Sequence, residues 1–242
     1  RLSLVGSEMC IRDRNIKRQK YKIMIKNIIF DFDGVIVDSE VLASKAFSKY
    51  FSKFDQSIKE EQFYKYAGKK TVEVIDLLSS KYKIENKEKF TNEIFDIVSE
   101  VYSKDLKLVD GAKDYISKSD RNHFIGSNSN KDRILDGLKL VGLDKFFLSD
   151  QVYSFDMVKR PKPDPDIYLK VLNDNSLIRE ESVIIEDSGV GVKAATAAGV
   201  RVFGLTAGKH WHSDRDTNEL FDNGALNVFS DYESLGKAIE EL

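Results

Sequence analysis

Five short apolar runs, each stopped by a glycine or a polar cluster, constrain this chain more than any other feature. Residues 27–32 read NIIFDF and are broken by Gly34; the runs at 123–126, 182–185, 200–205 and, more weakly patterned, 225–229 look alike. Runs that are apolar at successive positions suit strands covered on both faces in a parallel sheet. Helical spacing fills the gaps between them. Residues 131–140 are introduced by Ser129 or Asn130 as a cap, 166–172 follow Pro165 as a first helical position, and 190–198 are closed by Gly199. Strands alternating with helices predict an α/β sheet with right-handed crossovers.

One stretch breaks the alternation. Between residues 39 and 106 nothing reads as a strand, and VLASKAFSKYFSKF, EEQFYKYAG, TVEVIDLLSSKY and KEKFTNEIFDIVSEVYSKDL each space their apolar residues by three and four. These residues are expected to form a helical cap inserted after the first strand, with residues 24–38 and 107–242 making the α/β core. Tyr50, Phe51, Phe54, Phe63, Tyr64 and Tyr66 are expected in the core of that cap.

Composition sets the outer limits. The chain has 242 residues, 41% hydrophobic and 32% charged, which suits one mid-sized domain carrying an insert. With 38 basic and 40 acidic side chains the formal charge is −2, so no global pull toward nucleic acid or an anionic membrane is expected. Apolar runs are far shorter than the roughly 20 residues that span a bilayer. The single cysteine, Cys10, permits no intramolecular disulfide and fits a reducing compartment. A cytoplasmic monomer is expected. Residues 1–23 are read as a non-native or disordered tail, with Met24 as the natural start.

Four motifs fall at or just beyond strand ends, where open α/β sheets place their ligands. In DFDGVIVDSE, Asp31 and Asp33 flank a strand terminus, and Gly34 lets the chain turn so that both carboxylates face one crevice. A carboxylate can attack phosphorus when a metal neutralises the charge between two anions, and a second can serve as general acid and base. Two solvated acids at a strand end fit the same residues. In FIGSNSN, Ser127 and Asn128 can donate hydrogen bonds to a phosphoryl oxygen, or simply cap a helix. In KRPKPDPDIY, Lys162 stands between two of the three prolines, and its ammonium can neutralise both nucleophile and phosphate; a solvated turn fits as well. In VIIEDSGVGVKAA, Glu186 and Asp187 precede a glycine-rich turn, where Asp187 can complete the oxygen shell of Mg²⁺ or either acid can cap the helix.

Taken in this order, the four motifs resemble those of the haloacid dehalogenase superfamily, from Met24 to about Phe229. The resemblance implies a Rossmann-like core with a small α-helical cap over the site. It implies Asp31 as nucleophile, Asp33 as general acid and base, and Ser127 and Lys162 as phosphate-binding and charge-balancing groups. Mg²⁺ would be held by Asp31, the Asp33 carbonyl and Asp187, with Glu186 beside them or one step behind. Dehalogenases proper and phosphonatase-type members lack the second aspartate, so Asp33 argues against both. DSEVLASKAF and GKKTVEVIDLL are closest to phosphatases of small sugars and sugar acids, such as 6-phosphogluconate.

The implied activity is Mg²⁺-dependent hydrolysis of a small phosphate monoester through an aspartyl-phosphate. One alternative is a hexose-phosphate mutase of the β-phosphoglucomutase type. Against it, the cap loop that carries an arginine in such mutases reads YAGKKTVEV here, with Lys69 and Lys70 as the cap's candidate contacts to substrate. A second alternative is a catalytically silent binding protein on the same fold. His210, Trp211 and His212 are expected in a surface loop anchored by the tryptophan, with a transition-metal site there disfavoured.

Overall fold

The structure, a computed structural model, describes residues 24–66, 71–212 and 215–242. The tail at 1–23 and the two cap lysines, Lys69 and Lys70, lie outside the described residues.

Six strands form one parallel sheet: β1 (Asn27–Phe30), β2 (Asn122–Ser127), β3 (Val152–Ser154), β4 (Ser182–Glu186), β5 (Arg201–Leu205) and β6 (Asn227–Phe229). Their order is β3-β2-β1-β4-β5-β6. Asn27 is in register with Asn122 on one side and Ser182 on the other, so β1 is central. The chain leaves β1 for β2 on one flank and later adds β4 on the other. Such a reversal opens a crevice at the carboxyl ends of the strands.

Side-chain alternation splits the apolar residues between two faces. Ile28, Phe30, Val183 and Ile185 pack with residues of α4 (Ala112–Lys118), α5 (Lys131–Val141) and α9 (Tyr232–Glu241). Ile29, Ile184 and Phe124 pack with α6 (Asp166–Asp174), α7 (Gly189–Ala197) and α8 (Asn218–Asp222). This is the doubly covered parallel sheet that the run pattern predicts, and the Rossmann-like core that the resemblance implies. Among the described residues, no helix is long and apolar enough to cross a membrane.

Several expectations needed adjustment. β1 ends at Phe30 rather than residue 32, because the backbone turns away through Gly34, which has φ +81°. The edge strand β3 was not anticipated: three residues between short 3-10 turns make no recognisable run. α4, α8 and α9 were also missed, although Asp231 caps α9 by accepting from the Ser234 amide at 2.7 Å. Pro165 is the cap residue of α6 rather than its first turn. Of the two cap candidates for α5, Asn130 accepts from the Arg133 amide at 2.8 Å.

Between β1 and β2 stand α1 (Glu40–Phe51), a 3-10 segment (Glu60–Tyr66), α2 (Thr71–Lys81) and α3 (Lys87–Asp105). They share a separate core in which Phe47, Tyr50, Phe51, Phe63, Leu78, Phe90 and Ile94 are buried. Phe51 stacks on Phe63 at 5.9 Å, and Tyr50 meets Phe90 at 4.8 Å. Phe54 and Tyr64, expected inside this core, are exposed at 75% and 39%. The outgoing and returning chains pair with each other: the Asp38 amide donates to the Lys107 carbonyl at 2.9 Å, and Val37 bridges Leu108.

His123 in β2 is buried edge-on to Phe30, with Nε2 3.0 Å from Ser119 Oγ. Burial, helped by the nearby Arg121 charge, lowers its pKa from 6.5 to about 4. The unfolded chain therefore binds this proton more readily than the native one. The stabilising contribution is complete above about pH 6.5 and is lost as pH falls toward 4. Replacing His123 by Phe should remove on the order of 1–2 kcal/mol of the wild-type decline between pH 7 and 4.5. Urea unfolding at the two pH values measures this, and equal declines in both proteins would refute it.

Candidate active site

Asp31 immediately follows β1, and its amide continues the sheet ladder to the Ile185 carbonyl at 2.9 Å. This places its carboxylate in the crevice, buried beside Glu186 and Asp187 at the end of β4. Carboxylate oxygens of the three residues all lie within 4.8 Å of one another. Lys162 reaches the cluster from the segment before α6, with Nζ 2.7 Å from Asp31 Oδ1 and 2.5 Å from Glu186 Oε1.

Glu186 has little left to offer a ligand. Oε1 accepts from Lys162 and from the Tyr168 hydroxyl at 2.6 Å. Oε2 accepts from the Asp187 and Ser188 amides at 3.2 and 3.4 Å and from Ser188 Oγ at 3.1 Å. The fit is tight enough that a Cβ on Gly191 would lie 1.8 Å from Oε1. Glu186 thus anchors Lys162, which leaves Asp31 and Asp187 as the acids of the cluster that could hold a cation.

Electrostatics agrees with that division. Burial pushes the Asp31 carboxyl well above its usual range; Lys162 opposes the shift, while Glu186 and Asp187 add to it. Asp187 is raised well above its usual value by burial and then by Glu186. Burial disfavours the charged Lys162, but Asp31 and Glu186 outweigh this and raise its pKa. One ammonium faces three buried carboxylates, and all the donors are hard oxygens. That set fits a hard divalent cation, which would remove the excess charge and favour ionised Asp31 and Asp187.

The remaining expected residues take distinct places. Gly34 gives Asp187 its room: a Cβ there would lie 1.8 Å from Asp187 Oδ2 and 2.9 Å from His210 Cε1. Ser127 is buried at the end of β2, and its Oγ accepts from the Ser129 amide at 3.1 Å, which leaves its proton to donate. The Asn128 side chain braces the backbone of Lys162. Its Nδ2 donates to the Lys162 carbonyl at 3.1 Å and its Oδ1 accepts the Lys162 amide at 3.0 Å. Asp33 stands apart from the acidic cluster, held by Arg133 with Nη2 to Oδ1 at 2.9 Å.

The sequence reading missed Tyr168, Ser129, Ser39, Arg133 and the inward turn of His210. The HWH loop is not a plain surface loop. His210 is buried, with Nε2 2.9 Å from Asp187 Oδ2, and Trp211 Nε1 donates to the Asp187 carbonyl at 3.1 Å. Burial lowers the His210 pKa to about 4, so the ring is neutral. A cavity of about 340 Å³ between α1, the 3-10 segment and this loop borders the cluster through His210.

Fold and site together define a haloacid dehalogenase-like hydrolase. The chain belongs to that family: residues 28–205 match its model. It is similar to a phosphorylated carbohydrates phosphatase of Thermotoga maritima, with 31% identity over 89% of this chain and 99% of that one. A 6-phosphogluconate phosphatase of Escherichia coli is 26% identical over 77% of this chain and 85% of its own. A solved structure from Thermotoga maritima, provisionally assigned as a β-phosphoglucomutase, superposes with TM-score 0.77 and 28% identity, covering 90% of this chain and all of that one.

Gly34→Ala tests the close approach to Asp187. Besides the clash, a side chain at positive φ costs on the order of 1–2 kcal/mol. Wild-type protein should gain thermal stability when a divalent cation is added, as any ligand of the native state confers. The alanine variant should lose most of that gain. An undiminished cation-dependent rise in its melting temperature would show that Asp187 is not held for a cation.

Proposed function

We propose that this protein hydrolyses small phosphate monoesters, sugar or sugar-acid phosphates, through an aspartyl-phosphate formed on Asp31 with Mg²⁺ as cofactor. The observation that carries this reading is Lys162 Nζ, shared between Asp31 and Glu186 beside the Asp187 carboxylate. It supplies a buried carboxylate nucleophile with a fixed cation and with oxygen ligands for a second.

Asp31, Asp187 and the Asp33 carbonyl would hold Mg²⁺, which would supply positive charge between the nucleophile and the entering phosphoryl group. Lys162 balances the Asp31 charge and is held in place by Glu186, which Tyr168 in turn bonds. Ser127 donates its hydroxyl proton to a phosphoryl oxygen. Asp31 attacks phosphorus and forms a P–O bond as the ester P–O bond breaks. Asp33 gives a proton to the departing alkoxide, then takes one from the water that hydrolyses the aspartyl-phosphate. The helical insert, residues 39–106, would cover the crevice and exclude bulk water during the first step. Lys69 and Lys70 are proposed to contact the anionic substrate from that insert. The absence of arginine from YAGKKTVEV favours hydrolysis over transfer back to a bound sugar.

Asp31→Asn should abolish turnover while leaving the melting temperature within a few degrees. Asp33→Ala should lose about 10²–10⁴-fold on sugar phosphates. Near-normal phosphate release by the first variant, measured across sugar, sugar-acid, nucleotide and glycolate phosphates, would overturn the assignment. The likeness to a mutase-assigned structure gives the second reading its weight. Incubation with a hexose 1-phosphate separates the two: free phosphate is expected, and accumulation of the 6-phosphate would establish the mutase.

A further inference from the structure

The His-Trp-His loop after β5 serves two places at once. Lys209, His210 and His212 line the cavity beside α1, whereas Trp211 packs with the apolar residues of the sheet face that α6, α7 and α8 cover. Its indole Nε1 donates to the Asp187 carbonyl at 3.1 Å. The loop lies close against the turn after β1: a Cβ on Gly208 would stand 3.0 Å from the Gly34 carbonyl.

Asp187 needs such a partner. β4 ends at Glu186, so Asp187 stands one residue past the sheet, whereas the Asp31 amide is still tied to the Ile185 carbonyl. The direction of the Asp187 carboxylate therefore depends on how the peptide planes on either side of it are held. Its amide donates to Glu186 Oε2 at 3.2 Å, and its carbonyl accepts from Trp211. The turn then enters α7, where the Gly189 amide donates to Glu219 Oε1 at 3.2 Å. Glu219, in α8, pairs with Arg215 at 3.3 Å, and the Arg215 guanidinium lies 4.0 Å from the centre of the Trp211 ring, a favourable stack. Trp211, Arg215 and Glu219 thus form one chain of contacts that leaves the Asp187 carbonyl and returns to the Gly189 amide.

We propose that Trp211 is a positioning residue for the cation site. Through its bond to the Asp187 carbonyl, kept in place by Arg215 and Glu219, it fixes the Asp187 carboxylate where it can share a divalent cation with Asp31. This rests on Asp187 as a cation ligand and is independent of the substrate. Groups that orient a ligand without touching the metal typically govern its affinity by about 10–100-fold.

Titration of the metal-free full chain with magnesium chloride tests it, followed by calorimetry and by tryptophan emission. Trp211 is the only tryptophan in the chain, so the emission is its own. In wild type the emission should change with the calorimetric midpoint, because the carbonyl it bonds belongs to a residue that takes the cation. Trp211→Phe keeps an aromatic ring beside Arg215 but has no N–H. It should bind Mg²⁺ about tenfold more weakly, with a cation-free melting temperature close to that of wild type. Arg215→Gln, which removes the stack and leaves the indole N–H, should weaken binding by a smaller factor, about threefold. A merely structural role would lower the cation-free melting temperature and leave the midpoint where it was. A Trp211→Phe midpoint within about twofold of wild type therefore overturns the inference alone. If that variant does not fold, Arg215→Gln decides in its place, and a midpoint equal to that of wild type overturns it. Bound Mg²⁺ that leaves the wild-type emission unchanged overturns it likewise. No binding of Mg²⁺ by wild type removes Asp187 from a cation site, and the inference with it. Phosphate release enters none of these readings, so failure of the phosphatase assignment leaves the test standing.

Discussion

The ion pair that Lys162 makes with Asp31 and Glu186 is the constraint around which the rest of this structure is arranged. A buried ammonium is costly unless its partners are fixed and its protons accepted. Each supporting residue answers that requirement from a different part of the chain. Asn128 ties the Lys162 backbone to the end of β2 with two hydrogen bonds. Tyr168, in the first turn of α6, closes on Glu186 from the other side, and two backbone amides at the start of the turn after β4 complete its acceptor sites. The sheet order that puts β1 beside β4 makes the arrangement possible, because it brings Asp31 and Glu186 to the same edge of one crevice.

Against this rigid centre the two aspartates of DFDGV have contrasting surroundings. Asp31 is buried among charges and shares one cation. Asp33, two residues on and past the end of β1, meets an arginine and two hydroxyls. Gly34, which follows both, lacks the side chain that would keep Asp187 away.

Much of this was legible in the sequence, and the parts that were not share a physical reason. The runs around Ile29, Ile125, Ile184 and Phe203 announced buried parallel strands because burial on both faces leaves no polar alternation to confuse the pattern. The strand-end acids and Lys162 were legible because their motifs are local. Arg133 and Tyr168 were not, because what matters about them is the partner they meet across about a hundred residues or a sheet face. Helical spacing places Arg133 one turn after Ser129 but says nothing about Asp33. The inward turn of His210 was hidden for the same reason: a His-Trp-His loop reads as polar surface until the strand order lays it against Asp187. β3 escaped because three residues are too few to carry a period.

The pairing of Val37 with Leu108, and of Asp38 with Lys107, has a consequence for how such a protein can change. The roughly seventy residues between them begin and end at a single point on the core, in a short piece of antiparallel ladder that needs nothing from the helices beyond it. Those helices carry their own aromatic core, so the insert can be exchanged, lengthened or repacked as a unit while the sheet and its charge cluster keep their geometry. Tyr102 on Arg133 and Ser39 on Asp33 are among the contacts that reach from the insert to the core, and they would have to be matched anew with each exchange.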